Sequence, residues 1–370
     1  MKIGVPRERA GGENRVSIVP ETVAKLIKAG LEVLVERGAG TAASFVDEAY
    51  EKAGARLVDD AAALLAEADI VLKIDQPTPE EVDQIRQGGA VFSFFEPWNS
   101  EELVARLNGR AISSFSMQLV PRITRAQSMD VLSSQATIAG YKAVLLAAAR
   151  LPRILPMLVT AAGTLAPARA LILGAGVAGL QAIGTARRLG AIVEGFDVRL
   201  AAAEQIESLG GKFVGRELLE AGAEDAGGYA KAQSAEQEVR IQELIQKHAQ
   251  DAHLIISTAA IPRRKAPVLI TESAVSGMKP GSVIVDLAAE TGGNCALTRA
   301  GEEVVAHGVT ILGPRRLPAT VPTHASQMYS RNIATLLLSM IKEGQLVLDF
   351  EDEVVAGTCV THAGETRSAS

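Results

Sequence analysis

The run Arg169-Ala170-Leu171-Ile172-Leu173-Gly174-Ala175-Gly176-Val177-Ala178-Gly179-Leu180 leads an apolar strand straight into a glycine turn and a helix. Four consecutive apolar residues before the turn read as a strand buried on both faces, the habit of parallel sheets. The glycines have G-x-G-x-x-G spacing. The first suits a tight turn, the second lets the backbone approach a pyrophosphate, and the third lets helix and strand pack closely. The first N–H groups of the following helix, at the positive end of its dipole, suit phosphate. The motif alone is a weak signal, but here the next strand, Ala191 to Asp197, ends on an acid. Asp197 is placed to accept hydrogen bonds from the adenosine ribose, and a 2′-phosphate would meet its carboxylate. NAD(H) is therefore favoured over NADP(H). Arg199 is the counter-signal, because an arginine nearby can accommodate a 2′-phosphate. Without a ligand the same glycines make only a packing turn.

Outward from this run the chain reads as α/β. Lys2 to Pro6, Glu32 to Glu36, Ile70 to Ile74, Ala90 to Phe95 and Ala111 to Phe115 read as strands. Pro20 to Ala29, Asp47 to Ala53, Asp60 to Glu67 and Thr78 to Gln87 read as the helices between them. Such alternation implies largely parallel sheets. Ser128 to Arg150 reads as one long helix with Gln135, Ala139, Ala143 and Ala147 in a stripe. After the glycine turn come a helix at Leu180 to Leu189 and strands at Leu254 to Ser257, Val283 to Asp286 and Thr310 to Leu312. Between Lys212 and Asp251 lies a polar segment carrying Gly222, Gly227, Gly228 and Tyr229, then an amphipathic helix at Glu236 to His248. A loop of this length in a compact domain is usually functional or disordered. Gln327 to Ile341 reads as a helix that returns to the first domain. The expectation is two Rossmann-like domains with parallel sheets and a cleft between them. One comprises residues 1–133 with 318–370, and the other residues 134–317, with a mobile loop near 217–233.

With 370 residues the chain is long enough for about two domains. A net charge of -6 makes the whole chain no electrostatic match for nucleic acid. Two cysteines, Cys295 and Cys359, give no disulfide framework and fit a reducing compartment. The five histidines show no metal spacing, so no metal is expected. The N-terminus has no apolar core of a signal peptide. Leu158 to Leu180 is apolar but contains Pro167 and Arg169, and an arginine near a helix centre costs about 2.5–3.5 kcal/mol on insertion scales. It reads as a buried strand plus the glycine turn, and no membrane-spanning helix is expected.

A second polar constellation is Pro121-Arg122-Ile123-Thr124-Arg125-Ala126-Gln127-Ser128-Met129-Asp130, continuing to Ser133 and Gln135. So many polar groups at a loop-to-helix junction are expensive unless solvated or paired. Two readings stand: a capped helix start with a solvated face, and a clamp for the nicotinamide end of a dinucleotide.

Taken together, the two runs resemble the NAD(H)-binding component, domain I, of the proton-translocating nicotinamide nucleotide transhydrogenases. The likeness extends from Met1 to about Thr361. Pro6-Arg7-Glu8 with Glu13-Asn14-Arg15-Val16 is similar to the start shared by that family and alanine dehydrogenase. The Pro121 to Asp130 run, the turn from Gly174 to Ala182 and Gly227-Gly228-Tyr229-Ala230-Lys231 are the more specific matches. Asp286-Leu287-Ala288 with Gly292-Gly293-Asn294-Cys295 fits both families.

The resemblance implies that Arg122, Gln127, Asp130 and Ser133 surround the nicotinamide. The first three would act as orienting groups in catalysis. Gly174, Gly176, Val177, Ala178, Gly179, Asp197, Val198, Arg199 and Ala259 would hold the rest of NAD(H). Tyr229 would ride on a loop that closes over the nucleotide, with Gly222, Gly227 and Gly228 as hinges. The implied chemistry is direct hydride transfer from NADH to NADP+ on another polypeptide, which needs the two C4 atoms roughly 3–3.5 Å apart and water excluded. Implied partners are NADP(H)-binding and membrane-spanning subunits and a second copy of the chain. They would hold it, without membrane insertion, on the cytoplasmic face of the inner membrane. The polar end at Ser370 looks like the split arrangement, in which the NAD(H) domain is a separate chain. The alternative is a stand-alone NAD-dependent amino-acid dehydrogenase of the alanine type. Such enzymes hold pyruvate with an Arg, a Lys and a His. Arg15 and Lys73 stand at matching places, but Phe94-Phe95-Glu96-Pro97-Trp98 offers no His, which removes the acid/base group.

Overall fold

The computed structural model describes residues 1–219, 234–261 and 263–367. The chain divides into two compact units, Met1–Gln135 with Pro318–Ser370, and Ala136–Leu317. Both are mixed α/β with mainly parallel sheets, as the strand–helix alternation implies.

The sheet of the first unit has eight strands. From edge to edge they are Glu365–Thr366, Cys359–His362, Ser113–Ser116, Ala90–Phe94, Ile70–Asp75, Lys2–Val5, Glu32–Glu36 and Arg56–Val58. The six from Ser113–Ser116 onward pair in parallel, and the two C-terminal strands add on antiparallel. Ile3, Val5, Val33, Val35, Ile70 and Leu72 are buried on one face and Leu34, Val71 and Val91 on the other, so both faces need cover. One face is covered by the helix Pro322–Ser339, whose Tyr329, Ile333, Leu336 and Leu337 are buried. Hydrogen bonds to and from buried side chains help to seat it. Ser326 Oγ accepts the Val16 N–H and Ser330 Oγ the Val19 N–H, both at 3.0 Å, and the Tyr329 hydroxyl donates to the Lys73 carbonyl at 2.8 Å. The other face carries the helix Ala61–Glu67. Asp60 caps it by accepting from Ala62 and Ala63, an arrangement worth about 1 kcal/mol. Gly4 admits this helix closely, since a Cβ there would fall 2.7 Å from that of Ala68.

The sheet of the second unit runs Lys212–Phe213, Ile192–Phe196, Arg169–Leu173, Leu254–Ser257, Val283–Asp286, Val309–Leu312 and Glu303–Ala306. Among the described residues, only the last strand is antiparallel. In chain order the sheet grows first to one side of Arg169–Leu173 and then to the other. The order therefore reverses between Arg169–Leu173 and Leu254–Ser257. In open parallel sheets ligands bind beyond the carboxyl ends of the strands at such a reversal.

Several boundaries differ from the sequence reading for physical reasons. The helix after the glycine turn starts at Val177, three residues before Leu180, because the glycines themselves make its first turn. Thr124–Met129 winds as a 3-10 turn, and the long helix begins after it, as Val131–Arg150. Pro322 opens the C-terminal helix, five residues before Gln327, where proline's missing N–H costs nothing. Leu158 to Leu165 is not buried. It forms an exposed hairpin, Leu158–Thr160 with Gly163–Leu165, ahead of the buried strand. Among the described residues one helix, Val131–Arg150, is long and apolar enough by composition to cross a membrane, but its Ala143, Val144 and Ala147 lie in the core of the second unit.

Candidate functional site

Gly174 leaves its strand at φ +92°, and its N–H donates to the Phe196 carbonyl at 2.8 Å. A Cβ at Gly174 would meet Thr258 Oγ1 at 2.6 Å, and one at Gly179 would lie 1.8 Å from the Gly174 carbonyl oxygen. Gly176 is different: a Cβ there would meet nothing within 4 Å. It is also the N-cap of the helix Val177–Arg188, with no side chain capping the free N–H groups. Val177 beside it is 42% exposed. Open space over uncapped helical N–H groups fits the pyrophosphate of a dinucleotide.

The opposite wall of the reversal comes from the turn after Leu254–Ser257. Thr258 Oγ1 lies 3.1 Å from the Gly174 carbonyl and 3.3 Å from that of Leu173, bracing the glycine turn. Ala259 is held on both sides by buried Asn294. The Asn294 Oδ1 accepts the Ala259 N–H at 3.0 Å, and its Nδ2 donates to the Ala259 carbonyl at 2.8 Å. Asn294 is in turn set by Asp286, which accepts its N–H at 2.7 Å and those of Cys295 and Ala288 at 3.0 Å. Ala259 therefore has its methyl group, and not its amide, to offer a ligand. Asp197 closes the other side. It is 6% exposed, and it accepts the Ala175 N–H at 2.7 Å and three hydrogen bonds from Arg199. Val198 between them is half-buried.

In the first unit, the Pro121–Gln135 run is anchored from several directions. Arg125 makes a two-pronged pair with Asp352 at 2.7 and 2.9 Å, and Asn332 Nδ2 donates to the Ser128 carbonyl at 2.8 Å. Ala126 and Met129 are buried. Asp130 accepts from Ser133 twice, from its N–H at 2.9 Å and its hydroxyl at 2.5 Å, and so caps the helix Val131–Arg150. The capped-helix reading is thus satisfied by Asp130 and Ser133. Arg122 and Gln127 are exposed on the anchored turn. Tyr229 and the loop around it lie outside the described residues.

Arg15 and Lys73 are both occupied by partners. Arg15 donates to both carboxylate oxygens of Glu13, at 2.7 and 2.6 Å, and to Gln135 Oε1 at 2.9 Å. Lys73 lies buried between Glu81, 3.0 Å away, and Glu8, 3.4 Å away. Burial opposes its charge, but Glu8 and Glu81 outweigh that and raise its pKa. Glu96, in the segment without a histidine, accepts from Gln118 at 2.7 Å and Asn99 at 2.6 Å. Burial pushes the Glu8 carboxyl up to about 7, against the pull of Lys73. The fold thus takes up a proton there. The stability this contributes is full below the ordinary value of 4.5 and is lost as pH rises through about 7. Glu8→Gln should flatten the fall in melting temperature between about pH 5 and pH 8; an unchanged slope in thermal denaturation would refute that origin.

Sequence reasoning missed three positioning residues. Thr258 has no local signature, since its partner is 84 residues away, and Asn294 stands in the Gly292–Cys295 run without a role legible there, since its partner is 35 residues away. Gly140 was partly legible. It sits one residue after Ala139 in the small-residue stripe, and a Cβ there would lie 2.1 Å from the Ala178 carbonyl oxygen. Gly140 thus lets the long helix touch the first turn of the helix Val177–Arg188.

Comparison with known proteins agrees with this architecture. Residues 4–139 match the family model "Alanine dehydrogenase/PNT, N-terminal domain" and residues 143–369 match "Alanine dehydrogenase/PNT, C-terminal domain". The first of the chains that make up NAD(P) transhydrogenase subunit alpha in Rhodospirillum rubrum is 48% identical, over 98% of this chain and 97% of its own length. The NAD(P) transhydrogenase subunit alpha of Haemophilus influenzae is 45% identical over 99% of this chain and 71% of its own. A crystal structure of transhydrogenase from Sinorhizobium meliloti superposes with a TM-score of 0.90 at 42% identity, covering 99% of this chain and 100% of that one. A solved L-alanine dehydrogenase follows at 0.84 and 27%, covering 100% and 97%.

Proposed function

Because this chain belongs to the alanine dehydrogenase/PNT family, we propose that it is the NAD(H)-binding component of a proton-translocating transhydrogenase. NADH held here gives a hydride directly to NADP+ held on a partner chain. The occupied state of Arg15 and Lys73 carries the choice between the two branches of the family. Each cation is matched to carboxylates of its own unit, and Glu96 is spent on Gln118 and Asn99. Neither cation is left for an oxo-acid carboxylate, and the segment from Phe94 to Trp98 offers no histidine for its proton.

The chain's own residues then bind and orient. The N–H groups after Gly176, with Gly174 and Gly179 shaping the turn, take the pyrophosphate. Asp197 takes the adenosine ribose, with Val198 beside it, and Val177, Ala178 and Ala259 give apolar walls. Arg122, Gln127, Asp130 and Ser133 orient the nicotinamide, and Tyr229 closes over it. Bound NADH supplies the hydride, and no protein acid or base is required. Turnover depends on NADP(H)-binding and membrane-spanning partner subunits, which hold a homodimer of this chain at the cytoplasmic face of the inner membrane.

The test is to mix the purified chain with an NADP(H)-binding component and follow NADPH formation from NADH. Activity only in the mixture is expected. Oxidation of NADH by pyruvate and ammonia with the chain alone would establish the dehydrogenase instead. Asp197→Ala should weaken NADH binding about tenfold, the scale of losing one hydrogen bond to a charged acceptor, and should narrow the preference over NADPH. Unchanged selectivity in a binding titration would remove Asp197 from the ribose.

A further inference from the structure

Asp197 has no acceptor site to spare. Its Oδ1 accepts the Arg199 N–H at 2.9 Å and Arg199 Nε at 2.8 Å. Its Oδ2 accepts the Ala175 N–H at 2.7 Å and Arg199 Nη2 at 2.9 Å. A carboxylate offers about four lone-pair sites, and four donors fill these. The Asp197 side chain is 7% exposed and that of Arg199 19%, so the guanidinium covers the carboxylate. Two of the donors are main-chain N–H groups, one of them in the glycine turn, and they cannot leave without remaking the backbone. The other two belong to one side chain with several rotatable bonds. A ribose hydroxyl that reaches this carboxylate must therefore displace the guanidinium.

We propose that Arg199 is a displaceable latch on the adenosine-ribose site. It occupies acceptor sites of Asp197 and gives them up to the ribose hydroxyls as NAD(H) enters. The proposal rests on the reading of Asp197 as the ribose acceptor. The exchange is locally uphill, because Arg199 brings a full opposite charge to the carboxylate in a two-pronged pair, whereas a ribose hydroxyl is a neutral donor. Contacts elsewhere on the nucleotide must offset it. The observed affinity is then the intrinsic affinity multiplied by the fraction of chains with the latch open, so an open fraction of about one-tenth weakens binding about tenfold. The sign is the reverse of what an ordinary ligand residue gives: removing Arg199 tightens binding.

The test is titration of the full chain with NADH, with stopped-flow association rates, for the wild type, Arg199→Met, Arg199→Lys and Asp197→Asn. Arg199→Met keeps most of the aliphatic stem and removes every side-chain donor. It should bind NADH about tenfold tighter, with the gain in the association rate. Arg199→Lys, with one cationic group, should fall between it and the wild type and guards against a folding defect in the first variant. In the Asp197→Asn background, adding Arg199→Met should give at most a small further gain, because the latch has lost its catch. Unchanged or weaker NADH binding in both Arg199 variants, with Asp197→Asn weakened, overturns the latch and leaves the ribose role standing. No loss of NADH binding when Asp197→Asn is added to Arg199→Met overturns both, because the latch is already open in that background and only the ribose contact is removed.

Discussion

Gly179→Ala is expected to abolish measurable NADH binding, a loss of more than about a hundredfold, and to lower the melting temperature of the chain. A Cβ at this position would lie 1.8 Å from the Gly174 carbonyl oxygen, which is backbone and not a flexible side-chain end. To make room, the strand end and the helix start must separate by more than about 1 Å, on the order of the misplacement that costs a hundredfold in positioned chemistry. Gly184→Ala is the control. It lies in the same helix, where a Cβ would come no closer than 3.4 Å to Arg188 Nη1. That change should leave binding intact and gain up to about 1 kcal/mol from helix propensity. Calorimetric titration of the two variants side by side decides the matter. Normal NADH binding by Gly179→Ala would mean that the glycine turn does not hold the nucleotide.

The second large effect is kinetic. Gln127→Ala or Arg122→Ala should slow hydride transfer about a hundredfold while changing the NADH dissociation constant less than about threefold. The physical basis is the division of labour within the Pro121–Gln135 run. Its shape rests on the Arg125–Asp352 pair, the Asn332 hydrogen bond, buried Ala126 and Met129, and the Asp130 cap. Gln127 and Arg122 are exposed on that anchored frame, as orienting groups must be if they are to reach a nucleotide. Single-turnover kinetics on a reconstituted mixture separates rate from affinity. A loss confined to affinity would make these residues grips, not guides.

The fold was legible where chemistry is local. An apolar strand, a glycine turn and an acid on the next strand announce themselves within one short stretch, and Arg169–Leu173, Leu254–Ser257 and Val283–Asp286 stand where periodicity puts them. The edges were not legible. Glu303–Ala306 and Cys359–His362 are short antiparallel strands whose place depends on Val309–Leu312 and Ser113–Ser116, far from any local turn signal in the second case. The hairpin at Leu158–Leu165 looked like a stretch of buried strand because composition cannot tell an exposed apolar ribbon from a core one.

For the site, residue types could be named but their engagements could not. Arg199 looked like a group able to meet a 2′-phosphate, and only coordinates place its guanidinium on Asp197. Ala259 looked like a cofactor contact, and only coordinates show Asn294 holding both of its main-chain polar groups. Arg15 and Lys73 stood at the places that hold pyruvate in alanine-type enzymes, and the partners Glu13, Gln135, Glu8 and Glu81 could not be named from the sequence. In each instance the missing information is a partner distant in the chain or a choice of side-chain rotamer.

The central claim is that the hydride passes straight from NADH on this chain to NADP+ on another. It is tested most directly by a single turnover with NADH carrying deuterium at the transferred C4 position, using this chain mixed with an NADP(H)-binding component in ordinary water. The deuterium is expected to appear quantitatively in the NADPH formed, with none lost to solvent and no transfer when either protein is omitted. Deuterium washed into water, or oxidation of NADH that proceeds without the partner, would contradict direct transfer.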